Sequence, residues 1–225
     1  MSRAAVVLLS GGLDSTTSLY WAKSRGYRCV ALSVRYGQRH LRELKAARAV
    51  ARGAGVPLHE VELRLPWLGG SSLTNARLRL PDLPLAKIGR GGVPSTYVPG
   101  RNTIFLALAT SLADAVGAGA IVIGANALDY SGYPDCRPPF LGAFSKVAKL
   151  GTKRGATGKP LAVLAPLLRL DKKGVVRLAR KVGAPLELTW SCYAGGSRPC
   201  GRCDSCKLRA KGFREAGQGD PALRP

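Results

Sequence analysis

The sequence predicts an α/β fold, a doubly wound parallel sheet followed by a helical, cysteine-rich C-terminal segment. Three observations predict it. Short continuous apolar runs alternate with helix-forming stretches up to residue 126, the order that right-handed strand–helix–strand crossovers require. The first of these runs, AAVVLL, passes through Ser10 into Gly11-Gly12 and the first helix-forming stretch. Four of the six cysteines then crowd together between residues 192 and 206, where the alternation has ended.

Taken in order, Ala4 to Leu9 is an apolar run with no polar alternation, the pattern of a parallel strand buried on both faces. Asp14 to Lys23 is helical. RCVALSV, 28–34, gives a second strand, and Leu41 to Ala51 an amphipathic helix with Gly53 and Gly55 as its stop signals. Pro57 to Leu63 is a third strand. From Trp67 to Gly100 no period is sustained, and a connection this long inside a compact domain covers a site or moves. Asn102 to Val116 resumes as helix, GAIVIGAN at 119–126 is another buried strand, and Leu161 to Val163 a further short one. Asp171 is placed to cap a helix running to Val182. This layout predicts an α/β domain over residues 1–185 and a four-cysteine segment over 186–225; no internal repeat interrupts it.

Composition narrows the function classes. With 46% apolar residues in 225, the chain has enough material for a substantial core. No apolar stretch approaches the roughly 20 residues of a membrane span. The N-terminus enters its first strand within three residues and shows no cleavable signal, so a cytoplasmic location is expected. Thirty-five basic against thirteen acidic residues give a net charge of +22, which favours a polyanion or a small phosphate as partner.

The turn Ser10-Gly11-Gly12-Leu13-Asp14-Ser15 follows a strand and opens a helix. Backbone N–H groups there point outward at the positive end of the helix dipole and form an anion cradle. The glycines allow close approach, and the hydroxyls of Ser10, Ser15, Thr16 and Thr17 add donors. The spacing fits neither the Walker A pattern nor G-x-G-x-x-G; a bare Gly-Gly turn is otherwise just a tight connection. Cys192, Cys200, Cys203 and Cys206 stand as C-x7-C-x2-C-x2-C. Paired short spacings aim sulfurs at one metal, and four thiolates close a tetrahedral zinc site with no open position. An iron–sulfur cluster is the competing occupant, and disulfides the weaker one in a reducing compartment. Cys29 falls in the second strand as a small buried residue.

SGGLDS resembles the pyrophosphate loop, SGGxDS, of the ATP pyrophosphatases, adenine nucleotide α-hydrolase-like proteins of Rossmann-like fold. Together with YGQRH (36–40), TYVPGRN (96–102), DYSGYPDCRP (129–138), WSCYAGG and PCGRCDSC, the chain resembles the 7-cyano-7-deazaguanine synthase family from residue 4 to about 213. That resemblance implies a carbon–nitrogen ligase of queuosine precursor biosynthesis, taking 7-carboxy-7-deazaguanine, ammonia and ATP. Adenylation activates the carboxylate, ammonia gives the amide, and a second ATP takes the amide to the nitrile. It further implies one structural Zn2+ per chain, Mg2+ with the ATP, and a homodimer, with no need of nucleic acid. Asp14, Ser15 and Arg101 are then the expected catalytic residues. Residues Leu9, Ser10, Gly11, Gly12, Leu13, Asp14, Ser15, Thr16, Thr17 and Arg39 are expected on the nucleotide. Tyr36, Gln38, Asn102, Asp129, Tyr133 and Asp135 are expected on the deazaguanine.

Two rival functions share these features. Relatives with the same loop thiolate or amidate bases in tRNA, which the net charge suits, and a zinc-containing nucleotide-binding module needs no turnover. Arg39 and Arg101 are each equally readable as surface or structural. Cys136 as a covalent nucleophile would duplicate what adenylation does. His40 is a candidate proton relay, and His59 an ordinary polar residue.

Overall fold

The computed structural model describes residues 3–126 and 132–223. Five parallel strands form one sheet in the order β3-β2-β1-β4-β5: β1 Ala4–Leu8, β2 Arg28–Arg35, β3 Leu58–Glu62, β4 Ala120–Val122 and β5 Ala162–Leu164. The register pairs Ala4 with Arg28 and Leu8 with Leu32 on one side of β1, and Ala5 with Ala120 and Val7 with Val122 on the other.

Because side chains alternate along a strand, β1 feeds two cores. Val6 and Leu8 join Leu32, Leu106, Ile121 and Phe144 on one face. Ala5, Val7 and Leu9 join Leu19, Val50 and Val122 on the other. The helices α3 (Arg101–Ala115) and α4 (Pro138–Leu150) therefore cover the first face, and α1 (Leu13–Ser24) and α2 (Arg42–Ala54) the second. A one-turn α5 (Lys153–Ala156) follows α4. Burial on both faces is what the uninterrupted apolar run of β1 foretells.

A third cluster joins Leu13 of α1, Val175 and Val176 of α6 (Lys172–Lys181) and Phe213 of α7 (Asp204–Glu215). The four-cysteine segment and its helix thus share a core with the start of α1. Asp171 caps α6 as expected, its Oδ1 accepting from the Gly174 N–H at 2.8 Å.

Some boundaries differ from the sequence reading. Gly53 lies inside α2, and Gly55 ends it in the left-handed region at φ 65°. The fourth strand is only three residues long, because Gly124 brings the chain against the first turn of α1, 3.0 Å from the Ser15 nitrogen to a built Cβ. The stretch 67–100 carries only two short 3-10 turns, ending at Leu68 and Lys87. The helices α4 and α7 were absent from the element-by-element reading, although Leu141, Phe144 and Ala148 fall at helical spacing behind Pro138.

Candidate active site

The strand order reverses between β1 and β4, the point where open α/β sheets leave a crevice beyond their carboxyl ends. The crevice is a cavity of about 260 Å³, lined by the SGGLDS turn, the exits of β2 and β4, the N-terminal turns of α2, α3 and α6, and Trp190.

The turn itself is pinned. The Ser10 N–H donates to Ser15 Oγ at 3.2 Å, the Gly12 N–H to Ser10 Oγ at 3.3 Å, and Ser15 Oγ to the Gly12 carbonyl at 3.2 Å. Gly11 sits at φ 80°, and a Cβ there would lie 2.5 Å from the Glu43 carbonyl oxygen, so the loop is seated directly on the backbone of α2. From the other side, the Trp190 N–H donates to the Gly11 carbonyl at 2.9 Å. The loop is therefore held between α2 and the cysteine segment.

Asp14 stands at the mouth of α1. Its Oδ2 accepts from Lys172 Nζ at 2.5 Å and from Asn126 Nδ2 at 3.2 Å. Its Oδ1 is buried with no hydrogen-bond partner among the described residues. A buried carboxylate oxygen without a partner beside an anion cradle fits a hard divalent cation shared with phosphate oxygens.

Tyr36, Gln38, Arg101, Asn102 and Tyr133 line the same cavity. Gln38 Oε1 accepts the Tyr36 N–H at 2.8 Å, and the Tyr36 ring packs edge-on against Phe105 at 5.4 Å. Burial raises the Tyr36 hydroxyl above its ordinary range. Burial opposes the charge of Arg101, yet the Tyr36 oxygen, Tyr133 and Cys136 beside it outweigh that and hold its guanidinium above its ordinary value. A permanent cation therefore lines the same cavity as the glycine turn. Tyr133 shares a hydrogen bond of 2.6 Å with Thr96 from the long connection.

Several expected residues are placed elsewhere. Thr16 and Thr17 are fully buried and do not line the cavity; Thr17 Oγ1 donates to the Leu13 carbonyl at 2.7 Å, a bond that closes the helix on itself. Arg39 turns away from the phosphates and donates to the carbonyls of Ser72, Leu78 and Ala76 at 3.2, 2.9 and 3.2 Å. It is the tether of the 67–100 connection, whose carbonyls lack a regular secondary structure to satisfy them. Asp135 is buried, does not line the cavity and accepts the Asn102 N–H at 2.9 Å, satisfying an orphan donor at the start of α3. His40 packs against Gly195 outside the cavity, and burial lowers its imidazole. Asp129 lies outside the described residues.

Sequence reasoning missed Glu43, Lys172 and Trp190, which all line the cavity. Lys172 sits at the first position of α6, directly after the correctly predicted cap. Glu43 follows YGQRH by three residues, in the first turn of the predicted amphipathic helix.

The ligand atoms of Cys192, Cys200, Cys203 and Cys206 lie within 4.8 Å of one another, and three of the four residues are buried. Zinc–sulfur bonds of about 2.3 Å in a tetrahedron put sulfurs roughly 3.8 Å apart, so the cluster fits such an ion. Backbone N–H groups of Ala194 and Cys200 point at the Cys192 sulfur at 3.4 and 3.3 Å, and that of Cys203 at the Cys200 sulfur at 3.4 Å, partners suited to thiolates. The segment also braces the long connection, since the Leu83 N–H donates to Asp204 Oδ1 at 2.8 Å.

A parallel sheet with an SGGLDS turn at its switch point defines the class: an adenine nucleotide hydrolase-like protein of the PP-loop type. The backbone is similar to a predicted subunit of tRNA methyltransferase from Methanocaldococcus jannaschii, at TM-score 0.51 and 16% identity over 99% of this chain and 92% of that one. It is also similar to NMN synthetase from Francisella tularensis, at TM-score 0.50 and 14% identity over 97% and 78%. The family model described as queuosine biosynthesis protein QueC matches residues 4–217, and the chain belongs to that family. Relatives named 7-cyano-7-deazaguanine synthase are 52% identical in Thermosynechococcus vestitus, over 98% of this chain and 95% of the relative. The one in Synechococcus elongatus is 54% identical over 95% and 91%, and that in Desulfitobacterium hafniense 52% over 97% and 92%. Among the described residues, no helix is long and apolar enough to cross a membrane.

Proposed function

We propose that this chain is the ATP-dependent ligase that converts 7-carboxy-7-deazaguanine and ammonia into 7-cyano-7-deazaguanine. The observation that carries the reading is a single cavity joining two chemistries in a QueC-family chain: an anion cradle ending at Asp14, and a polar group of Arg101, Tyr36, Gln38, Asn102 and Tyr133.

The triphosphate lies with its terminal phosphates on the N–H groups from Ser10 to Ser15, the hydroxyls of Ser10 and Ser15 bracing that turn, and with Leu9 and Leu13 flanking it. Asp14 Oδ1 and Lys172 sit where charge builds on the departing pyrophosphate. Mg2+, held through Asp14, neutralises part of that charge when bound. Arg101 meets the substrate carboxylate and steers one oxygen toward the α-phosphorus. A carboxylate has no usable leaving group, so its oxygen displaces pyrophosphate and departs later with AMP. Ammonia displaces the first AMP to give the amide; the amide oxygen then displaces pyrophosphate from a second ATP, and loss of AMP leaves the nitrile.

In this reading residues 1–185 carry the chemistry, and residues 186–225 hold one structural Zn2+ through Cys192, Cys200, Cys203 and Cys206. The protein works in the cytoplasm as a homodimer on small molecules. Mass spectrometry of the mixture of 7-carboxy-7-deazaguanine, ATP, Mg2+ and an ammonium salt tests it. The nitrile should appear with two AMP and two pyrophosphate per product. Accumulation of ADP and orthophosphate, or product only when tRNA is added, would overturn it.

A further inference from the structure

Making a nitrile from an acyl adenylate strips three protons from one nitrogen. The first goes as the C–N bond forms and the C–O bond to AMP breaks. The second goes as the amide oxygen bonds to the α-phosphorus and pyrophosphate leaves with its electron pair. The third goes as the remaining C–O bond breaks: that pair leaves with AMP, and the N–H pair becomes the third C–N bond. A base beside the reacting carbon is therefore required; among the described residues expected from the sequence, His40 and Asp135 do not line the cavity and Asp14 belongs to the phosphate turn.

Resting on the reaction proposed above, we propose that Glu43 is the general base that takes these protons from the nitrogen. Glu43 lies in the first turn of α2, whose backbone seats the phosphate turn at Gly11. Its side chain borders the cavity together with that turn, within electrostatic reach of Arg101 and Tyr36. Two carboxylates among the described residues line this cavity. Asp14 accepts from Lys172 and Asn126 through Oδ2, and its remaining Oδ1 is the oxygen assigned above to the divalent cation. Glu43 makes no hydrogen bond or salt bridge among the described residues, so its oxygens are open to a proton donor.

Its surroundings tune it for the task. Burial raises the Glu43 carboxyl to about 7, against the pull of the Arg101 charge. A base with that affinity accepts a proton at neutral pH and returns it to water between steps. Other titratable and charged groups face the same cavity. Arg101 stays charged, and the Tyr36 hydroxyl is raised. Lys172 pairs with Asp14, and Arg209 of α7 with Asp220 at 2.7 Å. Tyr133 and Cys136 lie beside Arg101, and Tyr193 borders the cavity from the cysteine segment.

The test uses full-length, metal-loaded Glu43→Gln enzyme and two readouts. Carboxylate-dependent exchange of labelled pyrophosphate into ATP reports adenylation, and hence a folded, nucleotide-competent site. Amide and nitrile formation report the proton-losing steps. Exchange at the wild-type rate with amide formation about 100-fold slower or more is expected. The wild-type amide rate should rise through neutral pH while the residual rate of the variant does not follow that profile, and Glu43→Asp should recover part of it. Amide formation at the wild-type rate, or exchange and amide formation lost together, would overturn the assignment; the second result would make Glu43 a binding or folding residue. Wild-type enzyme that makes neither amide nor nitrile would instead sink the parent reaction, and that control is read before any variant.

Discussion

Replacing Gly11 by alanine tests the seating of the phosphate turn. At φ 80° the backbone is left-handed, and the new methyl group would lie 2.5 Å from the Glu43 carbonyl oxygen and 2.8 Å from the Ala46 carbonyl carbon. Both neighbours are helix backbone, which yields only if α2 moves as a body. The conformation costs about 1–3 kcal/mol and the overpacking about 1–3 kcal/mol more. A total near 4 kcal/mol lowers the melting temperature of a chain this size by about 8–16 °C. Displacing the N–H groups from the phosphates should slow adenylation about 100-fold. Thermal unfolding and pyrophosphate exchange measure the two effects. Gly12→Ala is the internal control, because a Cβ there meets only Ser10 Oγ at 3.4 Å and the Trp190 carbonyl at 3.6 Å. Gly11→Ala enzyme that melts and exchanges like wild type would show that the turn is not seated on α2, and the cavity described above would have to be redrawn.

Asp14→Asn, assayed for AMP release and for bound metal, should lose turnover at least about 100-fold while keeping the full metal content of the cysteine cluster. Cys203→Ser should lose that metal by elemental analysis and fold poorly, because a structural site contributes folding free energy directly; iron with acid-labile sulfide in anaerobically prepared wild type would refute the zinc assignment. Glu43 has a stability signature of its own. Since its carboxyl rises from 4.5 to about 7 on folding, the folded state binds the extra proton, and stability falls as pH climbs from the lower value through the higher. Glu43→Gln should therefore match wild type in acid and exceed it above neutrality by up to about 3 kcal/mol, read from denaturant titrations at several pH values; a variant less stable than wild type at every pH contradicts this.

The sheet was legible because its signals are local. AAVVLL can be buried only on both faces, and the Gly-Gly turn and the Asp171 cap each announce a boundary. The cysteine cluster was legible from spacing alone. The roles of individual residues were not, because they depend on which way a side chain points across the fold. Arg39 carries the charge of a phosphate ligand, but the irregular 67–100 connection has carbonyls to satisfy and draws it there. Asp135 has the acidity of a base reader and is consumed by the first turn of α3. Glu43 and Lys172 gave no signal, since each looks like an ordinary charged residue near the start of an amphipathic helix. The hydroxyls of Thr16 and Thr17 belong to the cradle string by sequence, yet the helical turn rotates both into the core.

The hydrogen bond from Trp190 to Gly11 ties together parts of the chain that leave the ribosome far apart in time. The glycine turn emerges early, while the tryptophan and the thiols beside it follow nearly 180 residues later. A chain ending before Trp190 would carry the glycine turn without the strut that fixes it.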